Sequence, residues 1–233
     1  MLLMTEAKHI SISILGLIVS ILLLWPTAAN AQLRRKKIIV QPDTVPLLNG
    51  FAVSADIMGP IQRAISDYGQ YEAALRLNLK DYYFPVIELG LGSCNHVDGA
   101  TEVSYKTRAP YGRAGIDFNL MKDKHDIYRL YGGIRYAFTS FKFDIGSMGV
   151  TDPVWGDHAA YEAEDVKASY QWLELVFGVD ATIWGPFHMG WSVRYRNRLF
   201  YNIDDMDNCW YVPGYGKHGR SRIGATFNLI FDI

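Results

Sequence analysis

Between Arg222 and Ile233 the odd positions Ile223, Ala225, Phe227, Leu229, Phe231 and Ile233 are all apolar, whereas the even positions Arg222, Thr226, Asn228 and Asp232 are polar. Successive side chains of a strand point to opposite faces, so this pattern specifies a ribbon with one oily and one wet side. The same alternation predicts strands over about 70–79, 84–92, 111–120, 128–141, 170–183 and 187–196, with a shorter one over about 50–58. In the 170–183 stretch, for example, Leu173, Leu175, Phe177, Val179 and Ala181 oppose Glu174, Asp180 and Thr182. Eight two-faced ribbons in series constrain the chain to an all-β fold in which one face is shared and the other is hidden.

The spacing of the strands gives the topology. Links 80–83, 121–127 and 184–186 are short, whereas 59–69, 93–110, 142–169 and 197–221 are long, and the two kinds alternate without exception. Outer-membrane barrels have short periplasmic turns, longer extracellular loops and an even strand number. The expectation is therefore an eight-stranded antiparallel up-and-down transmembrane β-barrel over residues 50–233.

The amino terminus agrees with export. Lys8 precedes an apolar run from Ile14 to Trp25, interrupted by Gly16 and Ser20, then Pro26 and the small-residue site Ala29-Asn30-Ala31. This order predicts a signal peptide over 1–31 and a flexible periplasmic leader over 32–49, which carries Arg34, Arg35, Lys36 and Lys37. The apolar run is short for a spanning helix, which needs about 20 residues. A net charge of -1 with 20% charged residues, and no basic stripe with interleaved aromatics, excludes a nucleic-acid partner. The 15 Tyr, 6 Trp and 21 Gly suit a barrel, where aromatics line the water interfaces and glycine relieves crowding inside.

If the oily face meets lipid, the wet face lines the lumen. That places Glu72, Glu88, Asp117, Glu174 and Asp180 among Arg76, Arg113, Arg129, Arg135 and Arg194. An eight-stranded barrel has an interior just wide enough for side chains to fill. Unpaired charges there are costly, so an ion-pair network that plugs the barrel is expected. The opposite arrangement, a secreted lipocalin-like lipid carrier with the apolar face inward, is less compatible with Gly90, Gly92, Gly133, Gly178 and Gly190 on the polar face.

Chemistry must then sit in the long links. Cys94 and Cys209 fall in two of them, on the same rim in an oxidising compartment, and are a disulfide candidate. Trp155 and Tyr161, with Glu162, Glu164 and Asp165 nearby, and Trp210 and Tyr211, with Asp204, Asp205 and Asp207 nearby, are candidates for binding an extracellular glycan or protein. No metalloprotease motif, nucleophile elbow or phosphate loop is present, and no metal or cofactor is implied. His96, Asp157, His158 and His218, with Ser93 or Ser104 as nucleophile, leave a surface lipid-modifying hydrolase as the alternative.

The segments Tyr82-Tyr-Phe-Pro-Val-Ile-Glu-Leu-Gly90, Tyr131-Gly-Gly-Ile-Arg-Tyr-Ala-Phe-Thr-Ser-Phe-Lys-Phe143 and Trp172-Leu-Glu-Leu-Val-Phe-Gly178 resemble DUF6048, a Bacteroidota family of outer-membrane β-barrels of unknown function. The resemblance runs from about residue 50 through most of the chain. It implies fold and location and offers no catalytic residues to transfer. The combined reading is a non-enzymatic outer-membrane protein, inserted by the barrel-assembly machinery, surrounded by outer-membrane lipids and presenting loops outward for a structural, envelope-tethering role or for binding a ligand or partner.

Overall fold

The computed structural model describes residues 46–99, 101–124, 126, 128–151, 158–204 and 209–233, without the side chains of 148–151 and 158–161. Each alternating stretch is a strand: β1 (Gly50–Asp56), β2 (Tyr68–Asn78), β3 (Tyr83–Val97), β4 (Val103–Asn119), β5 (Tyr128–Thr151), β6 (His158–Trp184) and β7 (Phe187–Ile203), then a small hairpin of β8 (Tyr211–Val212) and β9 (Gly216–Lys217), and finally β10 (Ser221–Asp232). Sequential neighbours pair antiparallel from β1 to β7, β7 pairs with β10, and β10 returns to β1 to close an eight-stranded barrel. The closing seam runs from Ala52↔Asp232 to Asp56↔Asn228. Closure removes every sheet edge along the paired length, which is what a strand structure in hydrocarbon requires.

The direction of the apolar face is the fact that positions everything else. Leu75, Ile87, Leu89, Phe138, Leu175, Phe177, Trp191 and Val193 are exposed on the outer wall, while Glu72, Arg76, Glu88, Arg113, Asp117, Arg135, Glu174, Asp180 and Arg194 are buried inside. On β6 the outward apolar residues run from Leu175 to Ile183, the length of about 9–11 residues that a tilted strand needs to cross hydrocarbon. Exposed aromatics mark the short-turn end of the belt, with Tyr82, Tyr83, Tyr128 and Trp184 beside the turns.

Two of the links expected as long loops are mostly strand. β3 and β4 continue to Val97 and from Val103, and β5 and β6 continue to Thr151 and from His158. The alternation persists there with its polarity reversed. On β4 Tyr105, Thr107 and Ala109 turn inward while Ser104, Lys106 and Arg108 turn out, and on β5 Phe141, Phe143 and Ile145 turn inward while Lys142 and Asp144 turn out. Above the belt the outer wall faces water, so the oily side becomes the inner one. The inward residues form an aromatic core with Tyr170 and Trp172 of β6.

The 59–69 link, read as a loop, begins with a helix, α1 (Met58–Ile65). The carboxylate of Asp56 accepts hydrogen bonds from the amides of Met58 (3.1 Å) and Gly59 (3.0 Å), satisfying first-turn donors that the helix itself cannot pair. Pro60 lies in that first turn, where its missing N–H costs nothing. A helix therefore starts at the Gly-Pro pair that reads as a break in the sequence.

Candidate functional site: the filled lumen and its two mouths

Inward parity on every strand delivers the charged side chains to one axis. Arg113 on β4 forms ion pairs with Glu72 on β2, with Glu88 on β3 (3.2 Å) and with Glu174 on β6 (2.9 Å). Arg194 on β7 reaches Glu88 at 2.7 Å and Glu72 at 3.1 Å. Arg135 on β5 joins Glu88 (3.0 Å) to Asp117 (3.0 Å), and Arg76 joins Asp117 (3.6 Å) to Asp180 (2.9 Å), which also holds Arg129. The ten residues singled out from the sequence thus lie in one connected network. Arg196 belongs to it as well, 3.2 Å from Glu174. It shares the parity of Arg194 on β7, which was the signal available for it.

Two aromatic residues complete the network, and neither was anticipated. Tyr111 donates its hydroxyl to Glu72 at 2.7 Å, and the Trp172 indole N–H donates to Glu174 at 2.6 Å. Each carboxylate thereby gains a neutral donor in addition to its guanidinium partners, as a buried charge requires. Glycines on the inner face make room: a Cβ on Gly133 would strike the Asp117 carboxylate, and one on Gly190 that of Asp180. A cavity of about 10 Å³ lies within the network, lined by Glu72, Arg76, Glu88, Arg135 and Arg194 among others. That is room for about one water.

The last long link corrects an expectation. Residues 197–203 extend β7, and the described part from Cys209 folds down into the mouth at the long-link end instead of projecting from it. Tyr211, expected on an exposed loop, is 2% exposed, and Val212 and Tyr215 are fully buried. The β8–β9 hairpin is tied to the network by its backbone: Arg113 donates to the Gly214 carbonyl (2.7 Å) and Arg196 to that of Tyr215 (2.9 Å). Gly92 and Gly214 permit the approach, because a Cβ on Gly92 would lie 2.7 Å from Pro213 Cα and one on Gly214 2.5 Å from the Tyr111 ring. Burial raises the phenol of Tyr211 above its ordinary value and pushes that of Tyr215 up to about 12.

Trp210 sits at the lip of this plug, half-buried. Its ring stacks on His96 with centroids 4.0 Å apart, lies 4.8 Å from the Lys217 ammonium and meets the edge of Tyr68. His96 Nδ1 is 2.7 Å from Asp67. His218 packs against Tyr170 and Tyr201, with Nε2 3.1 Å from Arg198. Trp155 and Asp157, and the side chains of Tyr161 and His158, lie outside the described residues. Cys94 and Cys209, expected as a disulfide, are not bridged; both thiols occupy the same buried aromatic cluster, and Cys209 Sγ is 3.3 Å from the Tyr105 hydroxyl.

An eight-stranded barrel with an apolar outer belt, an ion-paired interior and an inward-folded plug defines the class of membrane-type β-barrels with a filled lumen. The chain belongs to the DUF6048 family, a domain of unknown function, whose model matches residues 10–232. No curated protein matches it. Among solved structures it is similar to Ail, the attachment invasion locus protein of Yersinia pestis, in complex with the heparin analogue sucrose octasulfate; identity is 12%, with 78% of this chain and 93% of that one covered at a TM-score of 0.36. It is also similar to a major outer membrane protein from Thermus thermophilus, at 12% identity and a TM-score of 0.39, covering 79% of this chain and 98% of that one.

Proposed function

We propose that the protein is a non-enzymatic outer-membrane barrel that conducts nothing through its lumen and acts through its exterior mouth, where it binds a glycan or protein. The observation that carries this reading is the pairing of two surfaces: exposed Leu75, Ile87, Phe177 and Trp191 on the outer wall, and buried, mutually paired Arg113, Glu88, Glu174 and Arg194 within. A lipid carrier needs the reverse. In support of a non-catalytic mouth, the two described histidine side chains there are held against Trp210 and against Tyr170 and Arg198. Export through the signal segment 1–31, a periplasmic leader over 32–49 and insertion by the barrel-assembly machinery complete the proposal.

The test is purification in detergent. The folded protein should require amphiphile for solubility, migrate faster on a gel before heating than after, and give no stepwise conductance in a planar bilayer. Free solubility without amphiphile would remove the membrane reading, and open-channel currents would remove the plugged lumen. A binding screen with Trp210→Ala and Lys217→Ala variants against surface glycans and envelope proteins then addresses the mouth; activity in a lipid A deacylation assay, lost in His96→Ala or His218→Ala, would replace binding by hydrolysis.

A further inference from the structure

The short-turn end of the barrel, opposite the plug, opens into a cavity of about 260 Å³ whose floor is the last ion pair of the lumen. We propose that this vestibule is a binding site for a small ligand bearing an oxyanion, a carboxylate or a phosphate, seated on Arg129 and Lys124.

The placement of Arg129 at the end of the lumen supports this. The guanidinium groups of Arg76, Arg113, Arg129, Arg135, Arg194 and Arg196 face the carboxylates of Glu72, Glu88, Asp117, Glu174 and Asp180. A further inward acid, Asp56, is at the far end, where it accepts the amides of Met58, Gly59 and Phe227, and the acids at the vestibule end besides Asp180 are Asp81, Asp126 and Asp232. At the vestibule end, Arg76 and Arg129 both donate to Oδ2 of Asp180, and Arg76 also pairs with Asp117. Arg129 is the outer of the two, with its side chain 16% exposed and the Phe84 ring 4.0 Å from its guanidinium carbon. A guanidinium held from one side by a ring and from another by a shared carboxylate presents its remaining donors in a fixed direction, which suits a planar or tetrahedral oxyanion.

The rest of the lining is consistent with that occupant. Lys124 projects from the β4–β5 turn, anchored by a hydrogen bond from Nζ to the Asn119 carbonyl (2.6 Å). Among the acids lining the cavity, Asp81 accepts the side-chain amides of Asn49 (3.0 Å) and Asn78 (2.6 Å), and Asp232 pairs with His188 at 2.9 Å. Asp126 also lies on the lining and limits the site to ligands of low charge. The volume lies just below that of sites for drug-sized ligands, roughly 300 to 1,000 Å³. A metabolite or the terminal group of a longer molecule fits, and a polymer does not.

The test uses the full, detergent-folded protein and isothermal titration at constant ionic strength with acetate, inorganic phosphate and glycerol 3-phosphate, against chloride as reference. At least one probe should bind saturably with a dissociation constant on the order of 0.1–1 mM. Arg129→Gln, which leaves Asp180 paired with Arg76, should weaken it at least about tenfold, and Lys124→Gln should weaken it less. Acetate alone assigns a carboxylate, glycerol 3-phosphate alone a phosphate ester, and inorganic phosphate alone the free ion. No saturable binding of any probe to protein with the folded gel mobility, or affinities unchanged in both variants, overturns the proposal without touching the membrane reading. Should Arg129→Gln not fold, Lys124→Gln at the exposed turn carries the same decision.

Discussion

The plug can be evicted without breaking the barrel, and the glycines that admit it give the means. Gly214 has φ +81°, and a Cβ there would lie 2.5 Å from Tyr111 Cγ. Placing an L-residue in the left-handed region costs about 1–2 kcal/mol, and forcing an atom into a packed site typically costs about 1–3 kcal/mol. Tyr111 cannot withdraw easily, because its hydroxyl is fixed on Glu72 and its ring lies 4.6 Å from the Arg113 guanidinium carbon. Gly214→Ala should therefore destabilise the seated hairpin by about 2–5 kcal/mol, a factor of roughly 30 to several thousand in its seated-to-released ratio. Two companions separate the contributions: Gly216 has φ +107° and nothing within 4 Å of its Cβ position, so Gly216→Ala tests strain alone. Gly92, whose Cβ would lie 2.7 Å from Pro213 Cα and which has no such φ, tests crowding alone. The assay is alkylation of Cys209 in the reduced, folded protein, since that thiol is buried only while the plug is seated. Labelling should accelerate most in Gly214→Ala and less in the other two, with the heat-modifiable barrel band retained in all three. Equal, wild-type labelling rates across the series would refute the account of how the hairpin is held.

Three further outcomes are expected. Arg113→Met leaves Glu72, Glu88 and Glu174 short of their shared cation and should lower stability by about 3–5 kcal/mol in urea titrations of the folded band; adding Glu174→Gln should recover part of it. Tyr215 is neutral in the seated plug and its phenol is raised from about 10 to about 12, so its contribution is complete below pH 10 and is lost as pH rises through 12; phenolate absorbance and Cys209 labelling should rise together in that window, and Tyr215→Phe should remove this coupling. In exported protein, Cys94 and Cys209 are proposed to oxidise to a disulfide across the aromatic cluster they share; non-reducing mass spectrometry that finds both thiols reduced in inserted protein would dispose of the bridge.

The wall of the barrel was legible because a single rule, period two with one oily side, holds along every strand from Tyr71 to Phe231 while the outside is lipid. It stopped being legible where the solvent changes. In β4 the rows Ala114, Ile116, Phe118 and Tyr105, Thr107, Ala109 have opposite parity, and a search for one continuous oily stripe ends at Tyr111. The strand continues because its backbone pairs, not because its outward residues are greasy: Lys106 sits opposite Asp144, and Thr107 opposite Phe143. Tyr211 was misplaced for a related reason. Aromatics in a polar link read equally well as a binding surface or as a core, and only the glycines at 92 and 214, whose role depends on what packs against them, tell the two apart.

The helix α1 shows the same limit from the other side. β1 is the shortest barrel strand, ending at Asp56, while its neighbour β2 continues upward to Tyr68. The helix packs against the outward face of β2 at Gly69, where a Cβ would lie 2.5 Å from that of Arg63, so the wall thickens outward instead of filling the mouth. This leaves Ile61 (50% exposed) and Ile65 (80%) one helical turn apart on the outside. In water two such side chains would call for a protein partner. Beside an oily wall they extend the surface that lipid already covers, so a spin label at Ile65→Cys in a bilayer should report oxygen contact as Leu175→Cys does. Nickel-chelate contact at Ile65 with oxygen contact at Leu175 would place the helix in water while leaving the barrel in the membrane.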